Sequence, residues 1–449
     1  MKLQSEYVDI YQYPTKIARL NEKADVVFGD LDGNAIKFLY FLIREGILDL
    51  QPADYQKLVS IYQTPIERLS KAAISEFHHV VSNAKISQPL PKIHMIGDDL
   101  ADRGQNDLFT LFIYEKLNKE KADFEVLHSN HGAQFLKQYD IGLDNENMTL
   151  YRGAHHSFGL SLHNMQDLLD RELISLQEVT GLVDQHYLPR LKLLSYIVEN
   201  DQLKILSHAP VDESRVKNLA ALFGVTYTEA SAQDMAAMLD RINNIFQILC
   251  QGPLDSSQPD RVKELARLCE VEYSGGSIME IDQTIRKINA VMGAGIDVTQ
   301  PGFLQQISVI PQIEVLLNDR YSDLKKTAAS MTSHTGTVPP SFVTNIHGHV
   351  STEAFPASAG LKWRYVNLDG NLGKGKINQE TYIVLTSNHD YKSILTMEAA
   401  AARSSHSLQH SVSASLEKVG LLAHPHKPAA PQTTLIEAEK DKNNPSKNV

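Results

Sequence analysis

Five short apolar runs in this sequence are each followed by a side chain that can bind a metal ion. The groups that follow the runs are, in chain order, Asp30 with Asp32, Asp98, Asn130, His208 and His349. Such runs are typical of buried strands, and ligands in α/β proteins bind beyond the carboxyl ends of strands. Carboxylate, amide and imidazole groups are also the donors of dinuclear hydrolytic centres. The ordered repetition therefore predicts a metal centre at one edge of a sheet.

The second run opens the stretch Lys92–Gly104, which reads Lys-Ile-His-Met-Ile-Gly-Asp-Asp-Leu-Ala-Asp-Arg-Gly. A glycine-bounded acidic loop of this kind is, by itself, more typical of a solvated turn. Here it stands among four similar motifs, which favours the metal interpretation. Asp98 at the tip of the run can bridge two ions, and the forked guanidinium of Arg103 can bind a phosphate group.

Composition excludes several other kinds of protein. The net charge of −11 gives no indication of affinity for nucleic acid or anionic membranes, although metal ions and arginine can still make a site locally positive. Cys250 and Cys269 have no arginine six residues on, which excludes the thiolate loop of cysteine-dependent phosphatases, and two cysteines favour a reducing compartment. No apolar run approaches membrane-spanning length and no signal-peptide pattern opens the chain, so a soluble protein is expected.

The ordered motifs resemble those of the phosphoprotein phosphatase branch of the calcineurin-like metallophosphoesterases. That family's pattern is Gly-Asp-x-His-Gly, Gly-Asp-x-x-Asp-Arg-Gly and Gly-Asn-His-Glu, followed by two separate histidines. The likeness covers residues 24–210 and 342–388 and leaves a large region between them unmatched. With its altered motifs and a helical insertion, the chain is most similar to the Wip effector phosphatases that Legionella delivers into host cells.

The chain departs from the family pattern in three places. Asp32 stands where the family has histidine, one extra residue separates Asp98 from Asp102, and Ser129 and Gly132 replace a glycine and a glutamate. A carboxylate in place of an imidazole hardens the site, which favours Mn²⁺ or Mg²⁺ over softer metals. The same change can weaken one metal site, which leaves a non-catalytic relative as an alternative.

The resemblance implies a role for each candidate residue. The implied metal ligands are Asp30, Asp32 and Asp98 for one ion, and Asp98, Asn130, His208 and His349 for the other. The implied catalytic residues are His131 as general acid, Asp102 as its orienting partner and Arg103. Phosphate binding is assigned to Arg103, Asn130 and Arg152. His349 is preferred over His347 as a ligand because the family places its ligand directly after a glycine, and His347 is expected to be a strand residue.

The activity implied by the resemblance is that of a dinuclear-metal protein phosphatase, a phosphoric monoester hydrolase. Two divalent ions, Mn²⁺ above all, would share a hydroxide that attacks phosphorus directly, without a phosphoenzyme. Phosphotyrosine is slightly favoured over phosphoserine and phosphothreonine, and the partners would be phosphorylated host proteins, reached by translocation without a Sec-type signal peptide. Two alternatives remain: a catalytically weak phosphatase fold that binds partners through its helical arm, and a nucleotide or phosphodiester hydrolase.

Alternating strand and helix patterns predict an α/β protein with helices outside a largely parallel sheet. The resemblance implies a calcineurin-like metallophosphoesterase sandwich, with two mixed sheets flanked by helices and a large α-helical insertion. The expected organisation is a first part of the core over 1–210, the helical insertion over 211–335, the last part of the core over 336–390, and a short helix and disordered tail over 391–449. The insertion is interpreted as a cap or a projecting, partner-docking hairpin.

Local patterns also predict individual elements. Helices are expected over 34–46, 64–82 with Thr64 as N-cap, 106–117, 133–139, 176–198 with a kink at Pro189, 214–223, 232–249, 259–269, 278–292 and 303–328. Residues 1–23 read as a lead-in segment. The family resemblance also implies a closing hairpin formed by the two runs around Tyr365 and Tyr382.

Overall fold

The strands that carry the candidate ligands lie in two mixed sheets. The computed structural model describes residues 2–16, 25–87, 90–143, 159–318, 343–349, 364–368 and 379–386. The chain divides into two units, residues 1–389 and 390–449, and every described residue belongs to the first. The strands are β1 (Lys2–Asp9), β2 (Asp25–Phe28), β3 (Leu48–Asp49), β4 (Lys85–Ile86), β5 (Lys92–Met95), β6 (Phe124–Leu127), β7 (Leu191–Lys192), β8 (Ser195–Glu199), β9 (Gln202–Ser207), β10 (Val343–His347), β11 (Arg364–Asn367) and β12 (Gln379–Thr386).

The first sheet has the order β1-β12-β2-β5-β6-β7, and the second has the order β11-β10-β9-β8. Strands β2, β5, β6 and β7 run parallel, whereas β12 pairs antiparallel with both β1 and β2. In the second sheet β9, β10 and β11 are parallel and β8 is antiparallel to β9. The short strands β3 and β4 form a separate pair. The α/β class and the helices that flank the sheets are therefore confirmed.

All five predicted ligand-bearing strands are present, as β2, β5 and β6 in the first sheet and β9 and β10 in the second. Apolar side chains from both sheets form a small buried cluster of Val27, Ile96, Leu127, Ile197, Leu206, Ile346 and Leu368. Because parallel strands place their carboxyl ends at one edge, the loops that follow these strands can approach one another.

Helices cover the sheets, and several begin where the sequence provides a cap. They are α1 (Ala35–Arg44), α2 (Pro52–Tyr62), α3 (Lys71–Asn83), α4 (Asp107–Lys119), α5 (Asn130–Ile141), α6 (Leu160–Asp170), α7 (Leu176–Leu182), α8 (Glu213–Leu222), α9 (Ala232–Cys250), α10 (Pro259–Leu268), α11 (Ile278–Val291), α12 (Phe303–Gln306) and α13 (Pro311–Asn318). Asn34 and Asn106 cap α1 and α4 by accepting backbone N–H groups of the first turn. Within the described residues, no helix combines the length and apolarity that a membrane crossing needs.

The helix predicted from Thr64 begins instead at Lys71, with Ser70 as its cap. The Thr64 hydroxyl donates to the Ser60 carbonyl, and only a 3₁₀ turn, Ile66–Arg68, follows it. A tertiary contact explains the break. Arg171 donates to the carbonyl oxygens of Ile66 (2.6 Å) and Leu69 (3.0 Å), groups that a continuous helix would use itself.

The prediction of a helix over 176–198 is wrong in its second half. Helix α7 ends at Leu182, a π turn covers Val183–Tyr187, and a 3₁₀ turn containing Pro189 leads into β7. Proline has no N–H to continue a helix. The β-branched pair Ile197 and Val198 then lies in β8, which pairs antiparallel with β9.

Two predictions at the ends of the chain are also wrong. Part of the expected lead-in segment is β1, which pairs along its length with β12 from Lys2↔Thr386 to Asp9↔Gln379. The closing hairpin is not formed, because β11 lies in the second sheet and β12 in the first. The helix expected beyond residue 390 and the tail lie outside the described residues.

Helices α8–α13 connect β9 to β10, two strands that are neighbours in the second sheet. Their apolar side chains join the same buried core as the remaining helices, and α9 contacts β7, β8 and β9. Asn243 of α9 forms hydrogen bonds with the segment between β7 and β8. Its Oδ1 accepts the N–H of Leu193 (3.0 Å), and its Nδ2 donates to the carbonyl of Leu194 (2.6 Å). The boundaries 211–335 of the helical insertion stay a prediction.

A buried polar cluster around His94 links the two sheets. His94 of β5 lies 2.9 Å from the Ser195 hydroxyl of β8 and 3.2 Å from the Asp25 carboxylate of β2. The Ser195 hydroxyl donates to Glu125 of β6, which also pairs with Lys92. Serine, histidine and aspartate here resemble a hydrolytic triad in composition only, because Ser195 is buried and already donates its proton to a carboxylate.

The His94 cluster should make stability depend on pH. Burial lowers the pKa of His94, but the hydrogen bonds to Asp25 and Glu125 outweigh it and raise that pKa. The resulting stabilisation is present below the unfolded pKa of about 6.5 and is lost as pH rises through the folded value. We expect His94→Gln to lower the free energy of unfolding by about 1.5 to 3 kcal/mol near pH 5.5 and by less near pH 8.

Urea unfolding of the parent and of His94→Gln at both pH values measures this loss of stability. His79→Gln, on the surface of α3, is the control. The paired carboxylate Glu125 has a lowered pKa, so its own contribution is lost only as pH falls below about 4.3. If His94→Gln lowers the free energy of unfolding equally at both pH values, His94 is not charged in the folded protein.

Candidate metal centre

Four potential ligand atoms converge at the carboxyl ends of the central strands. The Nε2 atom of His208 lies 2.8 Å from Asn130 Oδ1, 3.1 Å from His349 Nδ1 and 3.5 Å from Asp98 Oδ1. Two ligand atoms that each lie about 2.1 Å from one ion are roughly 2.8 to 3.5 Å apart. The spacing and chemistry of this donor set therefore fit one divalent ion.

Local contacts orient the imidazole of His208. Its Nδ1 lies 3.1 Å from the carbonyl oxygen of Ile96, and because a carbonyl only accepts, Nδ1 carries the proton. The Nε2 lone pair then faces the other donors. Gly97 makes this approach possible, since a Cβ there would lie 2.7 Å from the Ser129 Cβ and 3.1 Å from His208 Nδ1.

Asp98 occupies a left-handed backbone conformation with φ of 50°, which non-glycine residues adopt mainly where surrounding contacts enforce it. One such contact is with Ser129, whose hydroxyl accepts the Asp98 N–H (3.0 Å) and also caps α5 through Gly132 N–H (2.9 Å). Burial favours the neutral form of Asp98, but His208, His131 and His349 outweigh it and lower the pKa of the carboxyl. Asp98 is therefore an anion that faces three histidines.

Asp98 belongs to a second group of converging donors, with Asp102 and His131. His131 Nδ1 donates to the carbonyl of Ala101 (3.0 Å), which leaves Nε2 3.4 Å from Asp102 Oδ1. Burial lowers the pKa of His131, but Asp98 and Asp102 raise it above its ordinary value. Burial raises the pKa of Asp102 to about 7. The imidazolium form of His131 is favoured in this position.

Ser161 at the start of α6 fixes Asp102. The Ser161 hydroxyl lies 3.0 Å from the Asp102 backbone nitrogen, and the Ser161 N–H donates to the Asp102 carbonyl (3.0 Å). The two loops that carry the acids also meet directly. Gly104 lies so close to Gly33 that a Cβ on Gly104 would be 1.6 Å from the Gly33 carbonyl oxygen.

Asp32 contacts two cations. Its Oδ2 lies 2.6 Å from the ammonium of Lys37, and its Oδ1 lies 3.2 Å from Nη1 of Arg103. The same Arg103 nitrogen is 3.2 Å from Asp102 Oδ2. Asp32 and Lys37 are both buried, whereas the Arg103 side chain is 24% exposed.

Asp30 lies beside the donor cluster. Its Oδ2 accepts the His349 N–H (2.9 Å), and its Oδ1 is 3.7 Å from Nδ1 of His208. Gly348 permits the contact, because a Cβ there would lie 1.9 Å from Asp30 Oδ1. His347 is the last residue of β10, as the sequence predicts, and its Nδ1 donates to the Gly348 carbonyl.

The structure thus brings four predicted ligands together: Asp98, Asn130, His208 and His349. Asp30 adjoins them, and the ligand role of Asp32 stays a prediction. His131, Asp102 and Arg103 lie next to the cluster, whereas Arg152 lies outside the described residues. Sequence reasoning missed Lys37, Ser129 and Ser161 as supporting residues. A lysine within the apolar stripe of α1 was the one signal that could have identified Lys37.

Comparisons with known proteins agree with the motifs. Residues 92–258 match the family described as WipA-like, phosphatase domain. Among solved structures, the chain is similar to the phosphatase domain from the Legionella effector WipB, with 28% identity and a TM-score of 0.46, over 62% of this chain and 95% of that one. A comparison with curated proteins gives no match. The resemblance to the Wip phosphatases that the motifs predict is therefore confirmed for residues 92–258.

Proposed function

We propose that this protein is a metal-dependent phosphatase that hydrolyses phosphomonoesters on proteins. The observation that carries the proposal is the convergence of Asp98, Asn130 and His349 on His208 Nε2. The similarity of residues 92–258 to a phosphatase domain supports the same reaction. The nearby pair of Arg103 and His131 supplies a phosphate-binding group and an acid.

The residues that would hold metal are those already described. Asp98, Asn130, His208 and His349 would bind one ion, and Asp30 and Asp98 would contribute to a second. Bound divalent ions would lower the pKa of water and offset the negative charge of the phosphate. Carboxylate and amide oxygens favour Mn²⁺ or Mg²⁺, and Mn²⁺ is our choice because two imidazoles complete the set.

The protein's own groups would bind and orient the phosphate. Arg103 reaches solvent and can donate two parallel hydrogen bonds to phosphate oxygens, held in place by Asp32 and Asp102. Asn130 would add an amide contact. His131 would donate a proton from Nε2 to the leaving oxygen, since its Nδ1 proton is already used on Ala101.

Phosphotyrosine is the favoured substrate side chain, with phosphoserine and phosphothreonine as the alternative. A phenolate leaves more readily than an alkoxide and therefore depends less on proton transfer from His131. The similarity to Wip effectors suggests that the substrates are host phosphoproteins, which would dock on α8–α13.

A phosphopeptide panel tests the proposal. Metal-stripped protein is expected to be inactive and to regain hydrolysis when Mn²⁺ is added back, with phosphotyrosine peptides turned over faster than matched phosphoserine peptides. Zn²⁺ and Mg²⁺ serve as comparison metals. Hydrolysis that is equal with and without metal would contradict a metal-dependent site, and turnover of phosphodiesters alone would identify a different hydrolase.

A further inference from the structure

A series of alternating basic and acidic side chains runs from α1 to the candidate acid. Lys37, Asp32, Arg103, Asp102 and His131 follow one another with successive distances of 2.6, 3.2, 3.2 and 3.4 Å between their charged atoms. Four of the five side chains are at most 3% exposed, and Arg103 is the exception. Arg103, in the middle of the series, is therefore the member that reaches solvent.

Lys37 is a buried cation in α1. It lies in the first turn of α1, between apolar residues, with its ammonium 5.9 Å from the centre of the Phe41 ring. A buried ammonium is costly unless it is paired. Here its partner is the Asp32 carboxylate, whose other oxygen contacts Arg103.

Both carboxylate oxygens of Asp32 thus face protein cations. A metal ion at Asp32 would have to compete with the ammonium of Lys37 and the guanidinium of Arg103 for these two oxygens, and displacing the buried ammonium would carry a desolvation cost. We propose that Lys37 is a positioning residue, which acts through Asp32 to hold the phosphate-binding Arg103, and that Asp32 is not a metal ligand. The inference rests on the proposed function for the role of Arg103.

The first test distinguishes an Asp32 that binds a metal ion from an Asp32 that positions Arg103. Asp32→Asn keeps the shape of the side chain and removes its charge. We expect it to retain the parent's Mn²⁺ content by elemental analysis, while the inhibition constant for inorganic phosphate rises about 10- to 100-fold. The KM for 4-nitrophenyl phosphate should rise with it, and kcat should change less. Loss of one metal equivalent in this variant would overturn the proposal.

The second test asks whether Lys37 acts through Asp32. Lys37→Met should weaken phosphate binding in the same direction, with metal content unchanged. Because Lys37→Met leaves a buried carboxylate with fewer partners, it can also fail to fold, so the double variant Asp32→Asn with Lys37→Met is made as well. The double variant should bind phosphate as weakly as Asp32→Asn alone. Additive losses, or unchanged phosphate binding in a folded Lys37→Met protein, would overturn the positioning role.

Lys57→Met is the matched control. Lys57 also pairs with a carboxylate, Glu76, at 2.8 Å, but both side chains are more than 40% exposed on α2 and α3. The phosphate affinity and metal content of the Lys57→Met protein should equal those of the parent. Phosphate titration and metal analysis do not require turnover. If the parent protein hydrolyses no phosphomonoester, the proposed function fails while these two measurements still decide the link between Lys37 and Asp32.

Discussion

Replacement of Asp98 by asparagine is expected to abolish metal binding and turnover together. In the proposed site Asp98 contributes to both ions, and its Oδ1 lies 3.5 Å from His208 Nε2 in the donor cluster. An amide keeps one oxygen but loses the negative charge that the ions need. We expect kcat/KM to fall roughly 10³-fold or more, as happens when a major electrostatic element is removed.

The neighbouring acid provides the control for Asp98. Asp99 is also buried, but its Oδ2 accepts the hydroxyl of Tyr114 (2.7 Å), and it belongs to neither group of converging donors. Asp99→Asn can keep that hydrogen bond and should retain metal. Elemental analysis and assays with 4-nitrophenyl phosphate measure both effects. An Asp98→Asn protein with full metal content and normal rate would mean that the centre is misassigned.

His131→Asn should give the opposite combination, with metal content preserved and the rate reduced. General acid catalysis contributes about 10²- to 10⁴-fold, and the loss should approach that range for substrates with poor leaving groups. Against 4-nitrophenyl phosphate, whose leaving group needs little protonation, the loss should be smaller. A comparison of phenyl and 4-nitrophenyl phosphates therefore isolates the proton transfer.

His131 should also leave a signature in the pH profile. Its raised pKa keeps the imidazolium populated to higher pH, so the parent rate on phenyl phosphate should fall on the alkaline side as this proton is lost. The His131→Asn profile should lack that fall. An equal loss of rate across both leaving groups, or an unchanged alkaline limb, would exclude the acid role.

The sequence predicts well which side chains meet at the strand ends, because each of them follows a short local motif. A run such as Lys92–Met95 followed by glycine and aspartate indicates both a buried strand and the position of the ligand at its end. Asn34 and Asn106 likewise mark helix starts, since capping depends only on the first turn of backbone. These features need no knowledge of the rest of the chain.

What the sequence does not predict depends on distant partners. Thr64 and Ser70 are both acceptable caps, and it is Arg171, about 100 residues on, that takes the intervening carbonyls and moves the helix start. Strand β1 is ordered by β12 at the far end of the described chain. The contact between Lys37 and Asp32 is visible only once α1 and its preceding loop are placed.

The adjacency of β9 and β10 makes the candidate metal centre a property of the whole fold instead of any one segment. His208 and His349 are 141 residues apart in the sequence, and the strands before them pair side by side. The entropic cost of closing so long a loop grows only with the logarithm of its length, but contacts between distant residues form slowly. Asp98 and Asn130 can be in place long before the second histidine arrives. A fragment that ends within α8–α13 would contain Asp98, Asn130 and His208 but lack His349. If the chain were cleaved in that region, only β9–β10 pairing and helix packing would hold His349 in place.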